Sequence, residues 1–221
     1  MGKKKLIHFE ENLTFSHLFQ PNYHHLAERF PLRANWHAGF FRNDHPIITE
    51  LGCGKGEYTV GLAGRHPELN FVGIDWKGAR LWRGCKSVEE QSLPNAAFVR
   101  TMIGNIEKIF APGEVAGIWI TFPDPQRKKE RLRLTSPLFL EKYRRILTPG
   151  GAIHLKTDDR FLYDYTLDVI RQGGHILLEA TDDLYQTHSD DELTGIRTFY
   201  ENQWLAIGKK INYLRFQLHS L

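Results

Sequence analysis

Cysteine is scarce: Cys53 and Cys85 are the only two in 221 residues. Two thiols cannot build a disulfide framework, and no CxxC pair or His/Cys cluster offers the spacing of a metal site. No apolar run approaches the roughly 18 residues that a bilayer-spanning helix needs, so no membrane association is expected. The opening MGKKKLIHFEEN has lysines but no apolar stretch behind them, unlike a secretory signal. Repeats, low-complexity tracts and Gly/Ser linkers are missing as well. These absences point to one soluble domain in a reducing cytoplasm. Charge excess is slight, 29 Lys and Arg against 26 Asp and Glu, so the distribution of charge says more about partners than its sum.

What is present is a regular alternation. Residues 1–45 are rich in aromatics and histidine, with Pro21 and Pro31 breaking any period, and read as an N-terminal arm with short helices. From 46 to 221 the chain reads as a single Rossmann-like domain. Seven β-rich runs are expected at 46–52, 70–76, 96–102, 117–122, 152–157, 175–181 and 211–218. Helical stretches fall at 56–65, 77–91, 136–148 and 160–172, with Ser136 before Pro137 as a helix start and Pro149-Gly150-Gly151 as its end. Strands alternating with helices predict an α/β, doubly wound, seven-stranded and mostly parallel sheet, its last strand antiparallel.

Ligands of such sheets bind at the carboxyl ends of the strands. The first strand ends in Glu50-Leu51-Gly52-Cys53-Gly54-Lys55-Gly56, and three ligands compete for that loop. A phosphate loop needs GxxxxGK[ST], which is missing. A dinucleotide fingerprint needs glycine where Glu57 stands. S-adenosyl-L-methionine carries an amino group and a sulfonium, which suit the carboxylate of Glu50; a plain strand-to-helix turn is the bland alternative. Asp75 ends VGID about 20 residues on, where a carboxylate can take both ribose hydroxyls, although it also suits the cap of the following helix. Asn105, after the third strand, stands where an adenine contact would be, or fills an ordinary Gly-Asn turn.

The fourth strand runs into Phe122-Pro123-Asp124-Pro125, which mounts a carboxylate between two prolines of fixed φ. Arg127, Lys128, Lys129, Arg131 and Arg133 follow, and with Lys142, Arg144 and Arg145 they outnumber Glu130 and Glu141 by six. A basic run beside a methyl-transfer pocket suits a nucleic-acid backbone, whereas elsewhere it would be a solvated face. Lys3-Lys4-Lys5 could add phosphate contacts. Asp158 closes HLKTD at the fifth strand's end, and TGIRTFYE (194–201) is a polar, aromatic segment after a loop. His24, His25 and the other histidines show no ligand spacing and receive no chemistry.

Taken together, ELGCGKG, VGID, ITFPDP with basic residues behind it, HLKTD and TGIRTFYE occur in the order found in the bacterial tRNA (guanine-N(7))-methyltransferase family, which this chain resembles from 50 to 201. That family belongs to the class I S-adenosylmethionine-dependent methyltransferases, which share the glycine loop; FPDP and the TxYE ending are more specific. The resemblance implies methylation of guanine N(7) at position 46, in the variable region of tRNA. It implies cofactor contacts from Glu50, Gly52, Asp75 and Asn105, and Asp124 as the catalytic residue. Lys128, Asp158, Thr198, Phe199, Tyr200 and Glu201 would bind the RNA. No obligate protein partner is expected, and the protein would act as a monomer or homodimer.

The chain departs from the family's pattern at four places. Asp75 stands where Glu is usual, Asn105 where Asp is usual, Gln126 replaces a Trp, and Glu130 interrupts the basic run. Rival readings are a methyltransferase of another substrate, such as DNA, rRNA or a small molecule, and a noncatalytic RNA-binding protein on the same fold.

Overall fold

A computed structural model describes residues 3–22, 26, 28, 30–189 and 192–219. His24 and His25 lie outside the described residues. The chain divides into two units, Met1–Ala111 and Pro112–Leu221.

In the first unit four parallel strands lie in the order β1 (Leu18–Phe19), β4 (Ala96–Arg100), β3 (Asn70–Asp75) and β2 (Ile47–Leu51). β2, β3 and β4 are almost wholly buried, which accounts for continuous apolar runs in place of alternation. Helix Gly78–Gln91 buries Gly78, Leu81, Gly84, Cys85 and Val88, the three-to-four spacing of a single helical face. Helix Glu57–Arg65 buries Tyr58, Val60, Leu62 and Ala63. Phe98 fills a socket cut by three glycines. A β-carbon at Gly56, Gly73 or Gly84 would lie 2.5–2.7 Å from its ring.

The N-terminal segment joins this core. Helix Lys3–Glu11 leads to β1, a two-residue strand that the sequence hides among aromatics and that brings the strands to eight among the described residues. Trp36, wholly buried, donates its Nε1 hydrogen to the Ile109 carbonyl at 3.2 Å and packs against Phe19, Phe30, Phe41 and Phe110.

In the second unit the order is β5 (Val115–Thr121), β6 (Leu147–Thr157), β8 (Asn212–Gln217) and β7 (Ile176–Thr181). β5 and β6 are parallel, while β8 runs antiparallel to both its neighbours. Strand β6 starts five residues earlier than the expected 152, because the Pro149-Gly150-Gly151 stretch continues the strand. A register shift between Val115 and Gly117 absorbs the extra residues. Helix Pro137–Ile146 begins after Ser136 as expected, but the Ser136 hydroxyl donates to the Arg131 carbonyl instead of capping. Helix Arg160–Gln172 is capped by Asp159, whose Oδ1 accepts the Leu162 amide at 2.9 Å. Among the described residues no helix is long and apolar enough to cross a membrane.

Candidate active site

In the first unit the loop after β2 turns on glycine three times, with φ of 77° at Gly52, 58° at Gly54 and 72° at Gly56. Only residues without a β-carbon adopt this region at little cost. The Gly52 and Cys53 amides both donate to the Ile74 carbonyl, at 2.8 and 3.1 Å. Asp75 then fastens the loop from β3: its Oδ2 accepts the Gly54 amide at 3.0 Å and its Oδ1 the Lys77 amide at 2.8 Å. Glu50 does the same for the next helix, its Oε2 accepting the Thr59 amide at 2.9 Å and the Thr59 hydroxyl at 2.6 Å. Both carboxylates are buried, and a carboxylate oxygen offers more than one acceptor direction, so these bonds leave capacity for a ligand. Both are therefore fixed in orientation by the fold.

Asn105 sits in a 3₁₀ turn, where its Nδ2 donates to the Thr101 hydroxyl at 3.1 Å; the Thr101 amide in turn donates to the Asp75 carbonyl at 3.1 Å. The structure thus links Asn105 to Asp75 through Thr101. Two large apolar side chains that sequence reasoning passed over stand open here: Trp76 is 59% exposed and Met102 63%. Their signal was positional, since each follows the carboxyl end of a parallel strand. Cys53 is a buried free thiol, and burial, with the charges of Glu50 and Asp75, pushes it well above the usual range.

In the second unit Phe122 and Gln126 bracket the PDP sequence, and both hold left-handed backbone, at φ of 48° and 45°. The Phe122 amide donates to the Lys156 carbonyl at 2.8 Å. Asp124 is exposed, and its Oδ1 accepts the Gln126 amide at 3.0 Å.

The basic run behind it is not uniformly outward. Arg133 is 6% exposed, its guanidinium lying over the rings of Phe161 and Tyr165 at 4.7 and 4.2 Å. Arg127 pairs with Asp159 at 2.6 Å, and Arg144 and Arg145 both reach Glu141. Lys128, Lys129 and Arg131 remain as exposed cations of the loop.

Of the remaining expected residues, Glu201 meets Lys156, which sequence reasoning missed. Lys156 and Glu201 are both fully buried and paired at 2.6 Å, and Lys156 Nζ also donates to the Leu193 carbonyl at 2.7 Å. The Tyr185 hydroxyl donates to the same Glu201 carboxylate at 2.9 Å. Thr198 and Glu201 form a reciprocal cap at the start of helix Phe199–Ala206. The four-residue segment therefore splits: Thr198 and Glu201 turn inward, while Phe199 and Tyr200 are 46% and 45% exposed. Because the Lys156 carbonyl also holds Phe122, one residue joins the Asp124 loop to this segment. Asp158 pairs with Lys209, which lies over the Trp204 ring at 4.2 Å. A cavity of about 410 Å³ opens nearby, lined by Tyr185, His188, Ser189, Thr194, Gly195 and Arg197.

Solved structures with the same fold include the 16S rRNA methyltransferase KamB, at a TM-score of 0.62 and 14% identity over 79% of this chain and 88% of that one. Another is the 16S rRNA (adenine(1408)-N(1))-methyltransferase of Catenulisporales acidiphilia, at 0.55 and 15% over 81% and 90%. The fold is that of the class I methyltransferases. A family model described as a putative methyltransferase matches residues 44–214. A tRNA (guanine-N(7)-)-methyltransferase of Christiangramia forsetii is 51% identical over 98% of this chain and 99% of its own. One of Porphyromonas gingivalis is 53% identical over 93% and 86%, and one of Cytophaga hutchinsonii 45% over the whole of both. The chain belongs to the tRNA (guanine-N(7)-)-methyltransferase family.

Proposed function

We propose that this protein methylates N(7) of a guanine in tRNA, at position 46 of the variable region, with S-adenosyl-L-methionine as the donor. The observation that carries this reading is the 51% identity over 98% of the chain to a relative of that name.

The residues of the first unit fit the donor. Two buried carboxylates, Glu50 and Asp75, face a loop in which a β-carbon on Gly54 would find nothing nearer than the Gly52 carbonyl at 4.0 Å, so there is room above the backbone. Acidic groups there favour a cationic ligand over a pyrophosphate. In this reading Asp75 takes the ribose hydroxyls, Glu50 supplies charge toward the cationic end, Gly52 offers backbone, and Asn105 contacts the adenine. The exposed faces of Trp76 and Met102 support an apolar wall for the same base. The donor, when bound, supplies an electrophilic methyl group.

Guanine N(7) carries an in-plane lone pair and no proton, so its attack needs no general base. Asp124 binds the ring N–H and amino hydrogens of the base and favours the positive charge that grows on the purine. Holding nucleophile and methyl in line does the rest. Lys128 meets the phosphate backbone, with Lys129 and Arg131 beside it. Asp158, Phe199 and Tyr200 complete the RNA side, where the exposure of the two rings supports stacking on bases, while buried Thr198 and Glu201 hold the segment from within. Residues 46–221 act as one methyltransferase domain behind an N-terminal segment of 1–45, in the cytoplasm, as a monomer or homodimer without an obligate partner.

The test is transfer of labelled methyl to unmodified tRNA carrying guanine or adenine at position 46. Label in the guanine tRNA alone, recovered as 7-methylguanosine, is expected. Equal label in both would discard the target nucleotide, and no label in either would discard the activity.

A further inference from the structure

The loop that carries Asp124 spends two non-glycine residues in left-handed backbone, and such conformations persist only where surrounding contacts over-determine them. At Gln126 those contacts come from Arg133. Its Nε donates to the Pro125 carbonyl and its Nη2 to the Arg127 carbonyl, both at 3.2 Å, so one guanidinium grips the backbone on either side of Gln126. The planar fork itself lies over the rings of Phe161 and Tyr165. Further along, the Thr135 and Thr166 hydroxyls meet at 2.8 Å and anchor the same loop to helix Arg160–Gln172. With Gln126 fixed, its amide points at Asp124 Oδ1.

We propose that Arg133 is a positioning residue for Asp124, acting through the backbone of Gln126, and not a phosphate contact. This rests on the reading of Asp124 as the residue that meets guanine. Lysine at 133 keeps the charge but loses the two-donor fork, so Arg133→Lys separates position from charge.

Turnover, tRNA KM and the salt dependence of tRNA binding are to be measured for Arg133→Lys, Lys128→Ala and Asp124→Ala, and for the double variant Arg133→Lys/Gln126→Gly. Arg133→Lys is expected to lower kcat about 100-fold, the scale of a misplaced reacting group, with KM and salt slope held within about twofold. Lys128→Ala should raise KM and lower the slope by about 1. Glycine at 126 tolerates left-handed backbone, so the double variant should recover about tenfold of the lost kcat.

A raised KM and shallower salt slope for Arg133→Lys at unchanged kcat would overturn the proposal in favour of a phosphate contact. A kcat loss that glycine at 126 leaves untouched would overturn it in favour of general loss of folding. Should Asp124→Ala turn over like the parent, the underlying reading fails. Should Asp124→Ala lose turnover while Arg133→Lys keeps it, the positioning role alone fails.

Discussion

Between β2 and helix Glu57–Arg65 the chain turns left-handed on Gly52, Gly54 and Gly56; after β5 it turns the same way on Phe122 and Gln126. In the first loop the residue type removes the steric cost, and short bonds from Asp75 and Glu50 finish the work. In the second the cost, about 1–2 kcal/mol for each residue, is offset from outside by Lys156, Arg133 and the rings beneath it. Backbone conformation that glycine provides is robust to changes elsewhere. Conformation that side chains impose fails when a distant side chain is removed.

The largest effect should therefore come from the second unit's support. Lys156→Met leaves Glu201 buried without its cation and is expected to destabilise the protein by about 3–5 kcal/mol. Urea unfolding measures it, and a loss under 1 kcal/mol would show that the pair adds little to the second unit's stability. Asp124→Ala should lower turnover by about 10²–10³-fold with the unfolding midpoint unchanged, the scale of losing one aimed electrostatic partner. A matching loss of stability would mean that Asp124 supports its loop more than it serves the reaction.

Within the first loop, Gly56→Ala combines left-handed strain with a clash against Phe98 at 2.5 Å and should cost about 2–4 kcal/mol. Gly54→Ala faces open space and should cost only about 1–2 kcal/mol. Equal losses in thermal unfolding would show that strain alone decides. An effect of similar size comes with acid. Burial, reinforced by Arg215, holds His154 down to about 3 against an ordinary 6.5, while it stacks on Trp119 at 4.0 Å. A neutral imidazole in the fold contributes its full stability above pH 6.5 and loses it as pH falls from 6.5 toward 3, by at most about 1.4 kcal/mol per pH unit. Comparing His154→Phe with the parent at pH 7.5 and pH 5 should show the parent losing about 2 kcal/mol more.

The first unit was largely readable because its devices are local. Alternate glycines, carboxylates near the ends of β2 and β3 and a Gly-Asn turn declare themselves within a few residues, whereas the engagement of Glu50 by Thr59 and the exposed faces of Trp76 and Met102 needed the structure. In the second unit the motif FPDP and the antiparallel last strand were readable, but the supports of the Asp124 loop were not. Arg133 reads as one more cation until Phe161 and Tyr165, about 30 residues on, come to lie beneath it. Lys156 reads as the polar member of a strand until Glu201 arrives from beyond β7. The cap of helix Arg160–Gln172 is Asp159, one residue beyond the HLKTD motif. β1 stayed hidden because two residues are too few to show a period.

The most direct measurement is a calorimetric titration of S-adenosyl-L-methionine into the parent, Asp75→Ala and Asp124→Ala. Asp75→Ala should bind at least tenfold more weakly, the scale of lost bonds to a charged group, whereas Asp124→Ala should bind within about threefold of the parent while its methyl transfer falls about 10²–10³-fold. Cofactor binding lost in Asp124→Ala and kept in Asp75→Ala would contradict the assignment of the donor to the glycine loop and of the guanine to Asp124.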